Sequence, residues 1–351
     1  MHKSNKPNLI MMYISLSTFT KRDINILSNE FNVISYHFNT SPKYLLPIAF
    51  FKQFFYLLFK LKKIDVIVTQ SSGYLSFLPV IFSKIFKIKV VIIAIGTDCA
   101  RLPEINYGAH TKKILRWFSQ FSFKHASLIL PVHKSLEKAS YTYLDVKFPQ
   151  QGIRSLVKGV KTSIVEVVNG YDTKKWKIIK ENRIDNSFLT VSFAVNKIGY
   201  FRKGIDMIIK AALLFPDYKF TIVGKVVLQE ACPKNVTLLE NVPQEELLRI
   251  YNQHKYYLQL SMFEGFPNAL CEAMLCGCIP IGSDVAGIPD IIGENGYILR
   301  KKNSTDLEKI IKGLKDNSLT DIDVRNQIRD NYPIERRTKE LNDLIVKLMH
   351  F

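Results

Sequence analysis

Several features are scarce in this 351-residue chain, and each scarcity excludes a class of protein. The five cysteines, Cys99, Cys232, Cys271, Cys276 and Cys278, are odd in number and contain no Cys-x-x-Cys, which disfavours a disulfide framework. Cys276-Gly-Cys278 has no second pair or histidine cluster to complete a zinc site, so reduced thiols in a cytoplasmic protein fit best. No uninterrupted apolar run reaches the ~20 residues that a membrane span requires. The short run Leu9–Ile14 gives way to Ser-Leu-Ser-Thr and reads as a first strand, not a signal segment. Neither a Gly-x-Gly-x-x-Gly after a strand nor a Walker A sequence occurs, so nicotinamide and ATP chemistry are disfavoured.

What is present is globular. Hydrophobic residues make up 47% of the chain and charged residues 23%, and the length suffices for two cores. Apolar runs alternate with helical patterns, which argues a parallel-sheet α/β protein. Strands are expected near Leu9–Ile14, Asn32–His37, Asp65–Thr69, Lys89–Ile95, Ser127–Pro131 and Ser163–Val167. A second series falls near Phe188–Ala194, Lys219–Val223, Val236–Leu238, Tyr256–Leu260, Cys278–Gly282 and Gly296–Leu299. The series meet at Val168-Asn-Gly-Tyr-Asp172, where Asn-Gly supplies turn chemistry. Charge divides there as well. Residues 1–170 hold 23 Lys/Arg against 8 Asp/Glu, net +15, whereas 171–351 hold 26 against 23, net +3. Such a field attracts anionic surfaces.

The densest chemistry lies in Glu264-Gly-Phe-Pro-Asn-Ala-Leu-Cys-Glu272, followed by Ala273-Met-Leu-Cys-Gly277-Cys-Ile-Pro280. The strand Tyr256–Leu260 leads into a Gly/Pro loop and then a helix, an arrangement that α/β proteins use to hold anionic or sugar-bearing ligands. Gly265 lets the backbone approach a ligand, while Asn268 and Ala269 offer amide N–H groups at the helix start. The stretch resembles the Glu-x7-Glu signature of retaining GT-B glycosyltransferases, family 4 (glycosyl transferases group 1). The resemblance covers most of residues 168–300 well and the first half loosely. It implies two Rossmann-like, doubly wound domains facing across a cleft. Residues 1–168 would be the acceptor-side domain, basic and with a candidate membrane face. Residues 169–332 would be the nucleotide-sugar donor domain, and 333–351 a helix crossing back to the first. Glu264 would lie beside the donor sugar and Glu272 would grip the ribose, with Gly265, Phe266, Asn268 and Ala269 around the donor.

Other segments fit the same reading. Phe201-Arg-Lys-Gly-Ile-Asp206 is expected to open a helix, and Lys203 matches the family's diphosphate-neutralising Lys-Gly. The partner Arg is displaced, which leaves Lys197 and Arg202 as alternatives. Gly224, ending the strand Lys219–Val223, resembles a family Val-Gly beside the nucleotide. Asp98, in Ile95-Gly-Thr-Asp98 after an apolar strand, is a catalytic candidate, with capping as the alternative. His110 and His133 read as ordinary surface or loop residues. Asp290 replaces a family Glu and reads as structural. Asp321-Ile-Asp323 spells a metal motif of another glycosyltransferase fold but reads as solvent-facing, so no metal or cofactor is required.

On a helix over Pro47–Lys63, Lys52, Tyr56, Lys60 and Lys63 share one stripe, while Phe50, Phe54, Leu57, Leu58 and Leu61 cluster opposite. That pattern fits both an interfacial membrane helix and a helix packed on its own sheet. No nucleic-acid recognition module is present. The expected function is transfer of a sugar from a UDP- or GDP-type donor to a glycan or polyprenyl-pyrophosphate-linked acceptor in bacterial surface polysaccharide or glycoconjugate synthesis. The expected location is cytoplasmic, peripheral on the inner membrane face. The rivals are a nucleotide-sugar epimerase or hydrolase on the same fold, and an inactive donor-binding subunit of a glycosyltransferase complex.

Overall fold

The computed structural model describes residues 6–179, 181–192, 195–227, 231–240, 242–314 and 318–350. They fall into two units: Met1–Ala139 with Gln150–Val168 and Glu335–Phe351, and Ser140–Pro149 with Asn169–Ile334.

In the first unit, strands β1 (Asn8–Tyr13), β2 (Asn32–His37), β3 (Val66–Gln70), β4 (Lys89–Ala94) and β5 (Leu128–Pro131) form one parallel sheet ordered β2-β1-β3-β4-β5. The four strands β1, β3, β4 and β5 are near-continuous apolar runs and are buried, as parallel strands covered on both faces must be. Edge strand β2 carries the polar residues. Helices α1 (Thr18–Leu27), α2 (Leu46–Lys60), α3 (Tyr74–Phe86) and α4 (Lys113–His125) intervene. The order of connection reverses between β1 and β3, so the loops leaving these strands diverge and open a crevice at their carboxyl ends.

The expected strand Ser163–Val167 forms only a bridge, between Ile164 and Ile129 of β5. Ile129 donates to the Ser163 carbonyl and accepts from the Val165 N–H, both at 3.0 Å. Pro131 then accepts from Val167 but has no N–H to return, and the ladder stops. The short strands β6 (Ala139–Ser140) and β7 (Gln150–Gln151) and the one-turn helix α5 (Ile153–Leu156) precede this segment.

The final helix, α13 (Ile334–Met349), delivers Arg337 into the first unit's interior. Its guanidinium meets Asp23 of α1 through two parallel bonds of 2.8 Å, and Nη1 donates to the carbonyls of Val167 and Val168. Both side chains are essentially inaccessible, at 1% and 0% exposure. Contacts of this kind satisfy a charge that would otherwise be costly to bury.

The second unit has six parallel strands: β8 (Ile184–Val191), β9 (Lys219–Val223), β10 (Val236–Leu239), β11 (His254–Gln259), β12 (Ile279–Ser283) and β13 (Tyr297–Leu299). Their order is β10-β9-β8-β11-β12-β13, the arrangement of a Rossmann sheet, with its reversal between β8 and β11. All six expected strands are present, although the last two positions expected for β8, 193 and 194, lie outside the described residues. The expected single helix near Phe201 is instead two: α6 (Lys197–Arg202), capped by the Asn196 side chain on the Gly199 N–H at 2.8 Å, and α7 (Ile205–Leu214). Gly204, at φ +74°, breaks them. Helices α8 (Gln244–Gln253), α9 (Asn268–Leu275), α10 (Ile288–Ile292), α11 (Ser304–Gly313) and α12 (Asp321–Asn331) follow. The Asp-x-Asp sequence proves to be a helix start. Thr320 Oγ1 accepts from the Asp323 N–H at 3.1 Å, and the Asp323 carboxylate reaches back to the Thr320 N–H.

Removing one member of the Asp23–Arg337 pair strands a buried charge. Asp23→Ala is expected to lower unfolding free energy by about 3–5 kcal/mol in chemical denaturation, whereas the apolar double variant Asp23→Leu/Arg337→Met loses less.

Candidate functional site in the second unit

The site begins with a glycine. A Cβ on Gly204 would stand 2.4 Å from the Leu260 carbonyl oxygen, so only glycine permits the α6–α7 corner to rest on the strand end after β11. The Arg202 carbonyl accepts from the Met262 N–H at 2.7 Å, fixing the two loops in register. These are the loops that leave β8 and β11, and they flank the crevice where the sheet order reverses. Both carry the residues singled out in the sequence.

Lys203 and Glu264 form a short ion pair across this junction, with side chains 24% and 18% exposed. Burial alone would raise the Glu264 carboxyl pKa. The Lys203 ammonium, the Arg202 charge and a Ser261 hydroxyl hydrogen bond outweigh it and hold the group below its usual value. Of the two alternatives for a second cation, Arg202 therefore acts on Glu264. Lys197 sits exposed on the first turn of α6 and has no such effect on it.

Beyond Glu264 the loop runs through buried Gly265 and Phe266 to Pro267, the N-cap of α9, which no side chain caps. The amides of the first turn, including Asn268 and Ala269, thus point out of the helix start, where the dipole favours negative charge. The Asn268 side chain is held by an unanticipated partner, Tyr171, whose phenol donates to Oδ1 at 2.9 Å; Asn169 Nδ2 approaches at 3.4 Å. The Asn-Gly-Tyr turn thereby braces the helix start. One turn further along α9, Glu272 accepts from the buried Tyr251 phenol at 3.3 Å. Gly224, at φ +125°, follows β9 and donates its N–H to the Leu239 carbonyl at 2.8 Å. Asp206, on the first turn of α7, pairs with Lys302 in a largely enclosed contact. Nothing in the sequence signals that pair, because its members lie 96 residues apart.

Asp98 belongs to the first unit and has a different environment. It is 0% exposed, and its carboxylate accepts from the N–H groups of Ile95 (3.2 Å), Gly96 (3.1 Å) and Ser72 (3.0 Å). Burial raises its pKa against these bonds. It is a brace between the loops after β3 and β4. Those loops and the one after β1 line a cavity of about 620 Å³, with Ile14, Ser15, Gln70, Ser71, Tyr74 and Lys112 among its walls. The cavity occupies the first unit's own order reversal. His110 is buried, not a surface residue, and its Nε2 bonds the Asp98 carbonyl at 3.1 Å. His133 is also buried, with Nδ1 2.8 Å from the Ser135 hydroxyl.

This architecture is that of the GT-B fold. Sucrose-phosphate synthase from Thermosynechococcus elongatus superposes with a TM-score of 0.78 over 98% of this chain and 100% of that one, at 13% identity. Anabaena HepE, solved in complex with UDP-glucose, gives a TM-score of 0.71 over 97% and 99% of the two chains, at 14% identity. At such identities the likeness shows the fold alone.

Sequence similarity narrows this. Residues 175–332 match the family model described as glycosyl transferases group 1. A human phosphatidylinositol N-acetylglucosaminyltransferase subunit is 28% identical over 166 residues, covering 41% of this chain and 34% of that protein. The matching segments span about a third of the length of the first curated relatives.

The linkage of Glu264 has a defined sign. Its folded pKa lies below the ordinary value of 4.5, so the ion pair's contribution is complete above that value and vanishes as pH falls through the folded pKa. The unfolding free energy of wild type should exceed that of Glu264→Gln by about 1 kcal/mol near neutrality, and the gap should close as pH falls below 4.5 and through the folded pKa.

Proposed function

We propose that the chain is a retaining glycosyltransferase that takes a sugar from a nucleotide-diphosphate donor of the UDP or GDP type. The observation that carries this reading is the convergence of Lys203, Arg202, Glu264 and the uncapped start of α9 at the order reversal of the second unit. Lys203 and Arg202 neutralise the diphosphate leaving group, and the first-turn amides of α9 bind its oxygens. Glu264 yields part of its hold on Lys203 to the arriving diphosphate and orients the sugar. Glu272, aimed by Tyr251, holds the ribose hydroxyls. Catalysis is positional and electrostatic, with no covalent protein nucleophile. Retention of configuration is taken from the resemblance of the Glu264–Glu272 segment. A neighbour solved with UDP-glucose supports a UDP-type donor.

The acceptor is assigned to the cavity of the first unit, whose walls mix apolar residues with Gln70, Ser72 and Lys112. Asp98 acts there as a positioning residue. A glycan or polyprenyl-pyrophosphate-linked acceptor fits the unit's positive charge, and the human relative's name includes a lipid acceptor. The human protein is also named as one member of an assembly, which favours a second reading as a donor-binding component of a complex.

Calorimetric titration of UDP, GDP and ADP into wild type and Glu272→Ala tests the donor assignment. One nucleotide should bind, and the substitution should weaken it about tenfold or more. Turnover of the matching nucleotide sugar by the purified chain alone then separates enzyme from donor-binding component. Absence of any nucleotide binding sinks both.

The first unit also supports peripheral attachment to an anionic membrane. Among the described residues no helix is long and apolar enough to cross one. On α2 the buried face is Gln53 and Leu57, which leaves Phe51, Phe55 and Phe59 exposed in a continuous row of ring contacts at 6.1 and 6.3 Å. Phe51 and Phe59 are 67% and 74% exposed, and Ile114 and Trp117 of α4 are exposed as well. Lysines 52, 60, 62 and 63 are exposed on α2 and the turn that follows it, and each adds about 1 kcal/mol near anionic lipid. Sedimentation with phosphatidylglycerol vesicles should pull down wild type in a salt-sensitive manner and release Phe55→Ser/Phe59→Ser. Equal recovery of both proteins would remove the assignment.

A further inference from the structure

A second cavity of the first unit, about 470 Å³, is lined by Arg101, His110, Arg116, Gln120, Lys124 and Lys158. Four cations line it and no carboxylate does. Arg116, Gln120 and Lys124 are four residues apart on α4, so they share one stripe that extends ~12 Å along the axis. Gln120 Nε2 donates to the Leu156 carbonyl at 2.9 Å, which ties α4 to the segment carrying Lys158. Among the described residues, Arg116, Lys124 and Lys158 have no carboxylate partner.

Arg101 is brought beside Arg116 by backbone bonds to Gln151: its N–H donates to Oε1 at 2.7 Å, and its carbonyl accepts from Nε2 at 3.2 Å. The Arg101 pKa is lowered by burial and by the Arg116 charge. His110 is 0% exposed. Because Nε2 donates to the Asp98 carbonyl, the neutral ring presents Nδ1 as an acceptor, and Nδ1 has no partner. Burial, with Arg116 and Arg101, pushes this imidazole down to about 4, so it is neutral at ordinary pH. Clustered like charges and a buried bare acceptor are both unfavourable on their own. A multiply charged oxyanion turns the repulsion into charge-assisted hydrogen bonds.

We propose that this groove is a phosphate-binding site, filled by a phosphate group carried on a lipid headgroup or on a soluble ester. It uses none of the residues assigned to the donor, and it stands or falls independently of sugar transfer. The geometry favours phosphate over a carboxylate. Two guanidiniums and two ammoniums on neighbouring elements match an anion with several acceptor oxygens and more than one charge.

The test is equilibrium binding by the full chain. Inorganic phosphate and pyrophosphate are titrated calorimetrically, and in parallel the protein is sedimented with phosphatidylcholine vesicles with or without phosphatidic acid. Wild type is compared with Arg116→Gln/Lys158→Gln and with Lys219→Gln/Lys234→Gln, which removes equal charge from the second unit and from no residue that lines the groove. The groove variant should bind pyrophosphate about tenfold or more weakly while the control matches wild type, which supports the site with a soluble ligand. Separation of the two variants only on phosphatidic acid vesicles supports it with a lipid headgroup. No binding by wild type in either arm, or equal behaviour of groove variant and control in both, overturns the proposal. Lys124→Gln, at an exposed position, repeats the comparison should the double variant not fold.

Discussion

The close approach of Gly204 to the Leu260 carbonyl is the contact on which the second unit's chemistry depends. A side chain there would separate the corner after α6 from the end of β11, and Lys203 would no longer face Glu264. The positive φ and the missing Cβ serve one purpose: they let two loops from opposite sides of a sheet reversal share a small volume. The charges follow from that backbone contact. Glu264 stays ionised despite burial because Lys203 and Arg202 are held against it, and they are held because the Arg202 carbonyl is bonded to Met262.

Most of the strand pattern was legible in the sequence for a physical reason. Buried parallel strands must be apolar on both faces, so Val90–Ala94 and Ile67–Val68 announce themselves without homologues. The edge segment Ser163–Val167 has the same look, yet its fate depends on a proline in its neighbour, which no reading of its own residues reveals. The acid pair was visible because its members share one loop and helix. The tyrosines that brace this segment were not, since Tyr171 lies 97 residues from Asn268 and Tyr251 lies 21 from Glu272. The choice between Lys197 and Arg202 illustrates the limit. Both are basic and near the right place, and of the two it is the Arg202 charge that lowers the Glu264 pKa.

Helix α2 shows the opposite case. A helical wheel divides its residues into basic and aromatic halves, but the chain buries a narrower face centred on Gln53 and Leu57. Gln53 is inside because its Nε2 donates to the Leu75 carbonyl at 2.8 Å. With Gln53 inside, Phe51, Phe55 and Phe59 lie outward. Hydrophobicity alone would have put phenylalanines in and glutamine out; the Nε2 of Gln53 is bonded, while among the described residues its Oε1 has no partner.

The Asp23–Arg337 pair joins residues 314 positions apart in the chain. During synthesis at ~5–20 residues per second, Asp23 therefore emerges on the order of 15–60 s before its guanidinium exists. The whole second unit is made in that interval. It can fold as soon as its own residues emerge, while the first unit holds a carboxylate with an unfilled berth beneath α1. The earlier unit is thus completed last, and its closing element is a helix whose arrival reports that everything between has been translated.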